Sequence, residues 1–257
     1  MLTFGMTDGG GGFDPLVLLL LALVVEAYVG EAKTFFKAVP HPVRVIGTLI
    51  GFFDRKLNRE SRSPADRAVR GALVVVFVAG LAFAVGWAVA WLSLNHPWGW
   101  IIEFLGLIAL LAGRGLYDHV KAVAKALREG VEPGRQAVRH IIGRDPERLD
   151  GAGVARGALE SLAENFCDGV VAPVFWYVLF GFPGLLTYKA VNTMDSMIGY
   201  TSPKYRAFGM TAARLDDALN LIPARLAGLF LALAAVVVPT ARPAAAFKVY
   251  VIQSEEM

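Results

Sequence analysis

The stretch Ala72-Leu-Val-Val-Val-Phe-Val-Ala-Gly-Leu-Ala-Phe-Ala-Val-Gly-Trp-Ala-Val-Ala-Trp-Leu-Ser-Leu94 runs for 23 residues without a charge. At about 1.5 Å of rise per residue, a helix of that length crosses a hydrocarbon core of about 30 Å. Trp87 and Trp91 stand in its last turns, where an interfacial aromatic belt falls. The residues after it make a tight link, Asn95-His96-Pro97, and Trp98 to Ala112 returns as a second arm that carries Glu103. The pair reads as a helical hairpin in a membrane.

Composition agrees. Hydrophobic residues make up 56% of the 257 and charged residues 18%, against about 45–50% and about 25% for soluble domains. The mean hydropathy is +0.52. A soluble core could not bury so many apolar side chains. Phe13 to Gly30 reads as a further short or tilted span, broken by Glu26, and Leu226 to Val238 as a late one.

Lys and Arg sort unevenly. Nine fall between Glu31 and Gly71, nine between Gly113 and Gly169, and none in the link 95–97. The positive-inside rule puts both basic stretches in the cytoplasm and the hairpin tip outside. The expected location is a cell (inner) membrane, multi-pass, with the active site on the cytoplasmic face. The net charge of +3 has its place in these loops, and no zinc-finger or aromatic-plus-basic pattern points to nucleic acid. Cys167 is the single cysteine, which excludes an intramolecular disulfide and a multi-cysteine metal site. Residues 1–12 hold no Lys or Arg and read as a flexible leader, not a cleavable signal.

Val170 to Thr187 is apolar enough to span, but Pro173, Pro183 and two glycines interrupt it. A re-entrant path, dipping in and returning, keeps the polar motifs on its two sides on one face. Irregular backbone at membrane depth is tolerated where protein surrounds it. Tyr117 to Arg128 and Gly134 to Ile142 carry apolar residues at three-to-four spacing and predict helices in the cytoplasmic loop. With no strand-period alternation, the fold class is all-α: a single membrane-embedded domain over 1–257.

Three polar clusters interrupt this apolar background. Glu160, Glu164 and Asp168, at i, i+4 and i+8, fall on one helix face with Asn165 beside Glu164. Like charges so placed call for a cation, either a phosphate-bound divalent metal or a basic neighbour, unless the face is simply solvated. Lys189, Asn192 and Ser196 align next, with Asp195 adjoining; a lysine holds phosphate as a point charge and an aspartate holds Mg²⁺. A capped helix end ahead of Gly199 is the plainer reading of that cluster. Asp216 and Asp217 precede the late span, with Asn220, Pro223 and Arg225 after them, and Arg214 or Arg225 as their expected partner. Two basic pieces complete the set: Pro40-His41-Pro42-Val43-Arg44 at a helix start, and Arg135, Arg139, His140, Arg144 and Asp145. Both can hold an anion or touch lipid head groups. No P-loop, Gly-x-Ser-x-Gly, His-Glu-x-x-His or Rossmann pattern occurs.

In order, Pro-His-Pro-Val-Arg (40–44), Gly-Arg-Asp (143–145), Glu-Ser-Leu-Ala-Glu-Asn-Phe-Cys-Asp-Gly-Val-Val-Ala-Pro (160–173), Tyr-Lys-Ala-Val-Asn-Thr-Met-Asp-Ser-Met-Ile-Gly (188–199) and Asp-Asp-x-x-Asn-x-x-Pro-Ala-Arg (216–225) resemble the cobalamin-biosynthesis CobD/CbiB family. The likeness covers residues 15–235. It implies an adenosylcobinamide-phosphate synthase: a membrane enzyme that joins adenosylcobyric acid to aminopropanol, commonly its O-phosphate. ATP serves as co-substrate with Mg²⁺, and other cobalamin-assembly membrane proteins are possible partners. On the matching positions, Glu164, Asp168, Asp195 and Asp217 are the expected catalytic residues, and Asp195, Asp216 and Asp217 the metal residues. His41, Arg44, Arg139, His140, Arg144, Asp145, Asn165, Lys189, Asn192, Ser196, Asn220 and Arg225 are expected to contact substrate or phosphate.

Two departures from the family pattern stand out. Glu26 to Ala32 replaces an Asp-x-x-x-Gly-Asp-Pro opening, and residues 239–257 read as a diverged or truncated tail. The alternative that these leave open is a non-catalytic scaffold or sensor of the same superfamily.

Overall fold

A computed structural model of the chain describes residues 13–30, 40–139, 141–142, 145–238 and 244. The leader, His140, Arg144 and most of the tail lie outside the described residues. Among those described, every regular element is helical: α1 (Pro15–Val29), α2 (Pro42–Leu57), α3 (Pro64–Asn95), α4 (Gly99–Leu110), α5 (Gly113–Glu129), α6 (Val131–Val138), α7 (Gly151–Phe166), a π-helical turn (Cys167–Val171), α8 (Ala172–Ile198) and α9 (Met210–Val237). Four helical stretches are long and apolar enough to cross a membrane: Pro64–Asn95, Gly99–Glu129, Gly151–Ile198 and Met210–Val237. The chain is an all-α, multi-pass membrane protein.

Local chemistry sets the helix starts. Pro15, Pro42 and Pro64 each open a helix, where a missing N–H costs nothing. Ahead of them Asp14 accepts from Leu16 N at 2.8 Å, His41 Nδ1 accepts from Val43 N at 3.2 Å, and Ser63 Oγ accepts from Asp66 N at 3.2 Å. The long span extends three residues upstream of Arg67 and ends at the expected link, since α3 stops at Asn95 and α4 starts at Gly99. The late span is longer than its apolar core, because α9 begins at Met210.

The described chain packs as two compact units. One comprises the residues up to Ala112 with Ala172–Asn220; the other comprises Gly113–Val171 and the residues from Leu221. In the first, Leu18, Ile50, Val78, Leu107, Tyr177, Leu185, Met194 and Phe208 form a core drawn from α1, α2, α3, α4, α8 and the loop after α8. Lipid tails are as apolar as these side chains, so close packing, more than exclusion of water, holds helices together at membrane depth. In the second unit Val123, Val138, Val154 and Ala158 join α5, α6 and α7, with Leu127 and Ile142 against them.

The first unit contains a chain reversal inside α8. Gly181 has φ 68° and ψ −160°, a conformation open to glycine and strained for other residues, and Pro183 follows it. A Cβ built on Gly184 would lie 2.5 Å from the carbonyl oxygen of Trp176, eight residues earlier; a straight helix would separate them by about 12 Å. Trp176 Nε1 donates to Leu219 O at 3.2 Å, while Tyr188 OH donates to Asn220 Oδ1 at 2.9 Å. Residues twelve apart along α8 thus touch adjacent residues of α9. The segment bends back on itself at Gly181, as a re-entrant path requires.

The turn is seated on glycines. A Cβ on Gly86 of α3 would come 2.6 Å from Pro183 Cα, and one on Gly106 of α4 would come 2.6 Å from the Phe182 ring. The two helices of the hairpin supply the notch into which the re-entrant turn fits.

Candidate functional site

The returning arm of α8 and the first half of α9 share a polar ladder in the first unit. Asn192 Nδ2 donates to Asp216 Oδ1 at 3.4 Å, and Asn220 Nδ2 donates to Asp216 Oδ2 at 3.0 Å. Tyr188 then donates to the other end of the Asn220 amide. Asn192 and Asp216 are buried, at 8% and 7% exposure. Helical spacing builds the arrangement: Tyr188 and Asn192 are four apart on α8, Asp216 and Asn220 four apart on α9. Carboxylate and amide side chains at such depth persist because they satisfy one another.

Around the ladder stand the other expected residues of these motifs. Lys189 and Asp195 are half-buried, whereas Ser196 and Asp217 are exposed. The Ser196 hydroxyl donates to Asn192 O at 2.9 Å, and Gly199 N donates to Asp195 O at 2.7 Å as the helix ends. Asp216 accepts from both of these amides, and Arg225 Nη1 donates to Leu221 O. His41 caps α2 through Nδ1, and Arg44 is exposed one turn on.

The first unit also carries a lock absent from the sequence reading. Arg67, 8% exposed, donates through Nε to Asn58 Oδ1 at 2.8 Å and through Nη2 to the carbonyl of Lys204. Asn58 donates to that same carbonyl at 3.1 Å and to Asp54 Oδ1 at 2.9 Å. Lys204 Nζ lies 3.2 Å from Asp54 Oδ2 and 2.7 Å from the Tyr205 hydroxyl. The Tyr205 and Asp54 bonds hold the Lys204 ammonium above the usual lysine range. The lock fixes the loop between α8 and α9 to the end of α2 and the start of α3. Its signal in the sequence was weak, because Lys204 lies 137 residues from Arg67 and 150 from Asp54 along the chain.

The second unit holds the remaining expected residues. Glu160 and Glu164 keep their i, i+4 relation on exposed turns of α7. Asp168 falls in the π-helical turn, whose i→i+5 bonding breaks the regular i, i+4 register that the α-helical spacing assumed. Asn165 Nδ2 donates to Ser161 O at 2.8 Å, and Ser161 Oγ donates to Ile141 O at 2.7 Å. Arg139 pairs with Glu147 at 3.0 Å, both well exposed, and Asp145 Oδ1 accepts from Glu147 N at 3.0 Å. Arg135 donates to Leu149 O at 2.7 Å, which ties α6 to the loop ahead of α7. π turns inside helices often accompany functional sites, and this one follows the acidic motif directly in the chain.

A helical membrane protein with paired acidic and amide motifs flanking a re-entrant turn is the class these observations define. A sequence profile described as "CobD/Cbib protein" matches residues 19–255. The curated relatives include "Cobalamin biosynthesis protein CobD" of Sinorhizobium sp, 47% identical over 224 residues, covering 86% of this chain and 69% of the relative. The protein of the same name from Brucella suis biovar 1 is 46% identical, covering 85% and 68%, and one from Rhodobacter capsulatus is 47% identical, covering 84% and 68%. No solved structure matches. The chain belongs to the CobD/CbiB family, and with it to cobalamin biosynthesis.

Proposed function

We propose that the chain is an adenosylcobinamide-phosphate synthase, joining the propionate carboxylate of adenosylcobyric acid to the amine of aminopropanol or its O-phosphate. The observation that carries this reading is the ladder on α8 and α9, with Lys189, Asp195 and Asp217 around it. In an ATP-dependent ligation the substrate carboxylate takes the γ-phosphoryl group, ADP leaves, the amine attacks the acyl carbon and phosphate departs. The amine loses its proton in that last step. Such chemistry needs carboxylates for metal and cations for phosphate charge.

No group of three or more His, Cys, Asp or Glu suited to a metal occurs among the described residues. A magnesium ion carried on a nucleotide needs less, because it keeps its waters and takes one or two carboxylates beside the phosphates. Asp195 and Asp217 fit that demand. Bound there, Mg²⁺ would screen the phosphate charge. Lys189 and Arg44 are assigned to anionic groups of substrate or nucleotide. The nucleotide arrives from the cytoplasm, so the active site is assigned to that face.

The test uses purified full chain in detergent with Mg-ATP, adenosylcobyric acid and aminopropanol phosphate. ADP release that depends on both other substrates, together with a new amide product, is the expected result. Ligation undiminished in both Asp195→Asn and Asp217→Asn would overturn the metal assignment. No product at all, beside a working family member, would favour the non-catalytic scaffold.

A further inference from the structure

Asp216 was grouped with the metal residues by position in its motif, and its surroundings give it another task. Both of its oxygens already accept side-chain amides, from Asn192 on α8 and Asn220 on α9. The Asn220 amide is itself oriented, since its oxygen accepts from Tyr188, which leaves its N–H₂ group directed to Asp216. Tyr188 is 1% exposed, Asp216 7% and Asn192 8%, so neither the carboxylate nor the two ends of the ladder are placed to face a hydrated ion. The neighbouring Asp217 is exposed, on the adjacent face of the same helix turn.

We infer that Tyr188, Asn220, Asp216 and Asn192 form one hydrogen-bonded rail that sets the register of α9 against the returning arm of α8. Tyr188 and Asp216 are thus positioning residues of the proposed ligation site, not metal ligands. The rail is directional: hydroxyl to amide oxygen, amide N–H to carboxylate, carboxylate from the second amide. One consequence is specific. Asp216→Asn replaces one acceptor by an N–H₂ group: toward Asn220, whose amide Tyr188 orients, it sets donor against donor, and toward Asn192 it keeps a bond only if that amide flips. A metal ligand would instead fail through loss of charge. The assignment rests on the proposed ligation, and its test separates the two.

Tyr188→Phe and Asp216→Asn are prepared in the full-length chain, with Asp217→Asn beside them. Each is assayed for ligation at varied Mg²⁺, for binding of a fluorescent ATP analogue with and without Mg²⁺, and for melting temperature in detergent. The rail predicts that kcat falls about tenfold or more in Tyr188→Phe and Asp216→Asn while KM for Mg-ATP stays within about twofold. Half-saturating Mg²⁺ and Mg²⁺-dependent nucleotide binding are expected to match wild type in both. Asp217→Asn is expected to raise half-saturating Mg²⁺.

A wild type that ligates while Tyr188→Phe retains full kcat would overturn the rail alone. Asp216→Asn rescued by high Mg²⁺, or deprived of Mg²⁺-dependent nucleotide binding, would return Asp216 to the metal. A wild type that neither ligates nor binds nucleotide would overturn the proposed function and the positioning role together. If Asp216→Asn does not fold, Tyr188→Phe decides, because it removes one oxygen and keeps the ring.

Discussion

Gly86 of α3 lies against Pro183 of α8 so closely that a Cβ on the glycine would come 2.6 Å from the proline Cα. The contact is backbone to helix, at the residue where the re-entrant segment has just turned. Gly86→Ala is expected to destabilise the protein by about 1–3 kcal/mol, because neither partner is the end of a flexible side chain. Thermal unfolding in detergent, compared with Gly80→Ala on the same helix, checks it. A Cβ on Gly80 meets nothing within 4 Å, so equal effects at the two sites would refute the seat.

The Glu103 carboxylate is 4% exposed and accepts from the Tyr177 hydroxyl at 2.7 Å. The same hydroxyl lies 3.3 Å from Pro15 O, so the group ties α4, α8 and α1 together. Tyr177→Phe strips a buried carboxylate of one hydroxyl donor and is expected to cost about 1–3 kcal/mol. Glu103→Leu combined with Tyr177→Phe should cost less than the sum of the single changes, which a double-mutant cycle in detergent reads directly.

Arg67→Lys keeps the charge and loses the fork. The guanidinium reaches Asn58 through Nε and Lys204 O through Nη2, a geometry that one ammonium cannot reproduce. We expect faster proteolysis within 199–209, with cleavage sites read by mass spectrometry. Cleavage at the wild-type rate would show that the lock does not hold the loop.

Lys204 adds a pH dependence with a defined sign. Its folded pKa is raised above the ordinary 10.5 by the Tyr205 and Asp54 bonds. The bonds therefore stabilise fully below the unfolded lysine range and are lost as pH rises through the higher folded value. The group is close to the surface, so solvent screening keeps the effect small. Wild type should lose more stability than Lys204→Met across the alkaline range, and parallel curves would contradict the pairing.

Sidedness offers a fifth test. Gly71 near the basic end of α3 abuts the Phe208 carbonyl, and Gly86 abuts Pro183, so α3 and the returning arm of α8 run in opposite directions. In a Cys167→Ser background, Ser61→Cys and Ser202→Cys should label from one side of sealed vesicles and Asn95→Cys from the other. Labelling of Ser202→Cys together with Asn95→Cys would reverse the assignment.

Much of this architecture was legible because bilayer chemistry is severe. An uncharged run from Ala72 to Leu94 has few alternatives to a spanning helix, and prolines and glycines between Val170 and Thr187 left little room for a straight one. The motif residues Asn192, Asp216 and Asn220 were also visible, since polarity in apolar helices is costly. Their mutual bonding was not, because helical spacing gives the face of each helix but not which faces meet. Tyr188 was passed over for a related reason: a tyrosine in an apolar run reads as packing until its hydroxyl has a partner. The Arg67 lock escaped entirely, since Asn58, Arg67 and Lys204 are ordinary residues for a basic loop.

The glycine notch that receives the turn at Gly181 carries an implication for biogenesis. Ribosomal synthesis delivers α3 and α4 to the bilayer before α8 exists, so the receptacle is complete when the bent segment emerges. A bent segment with exposed peptide groups is a poor candidate for independent insertion, as its backbone has no lipid-compatible partner of its own. The expected order is then hairpin first and bent segment second, with Leu219 and Asn220 of α9, made last, joining Trp176 and Tyr188 on its two sides.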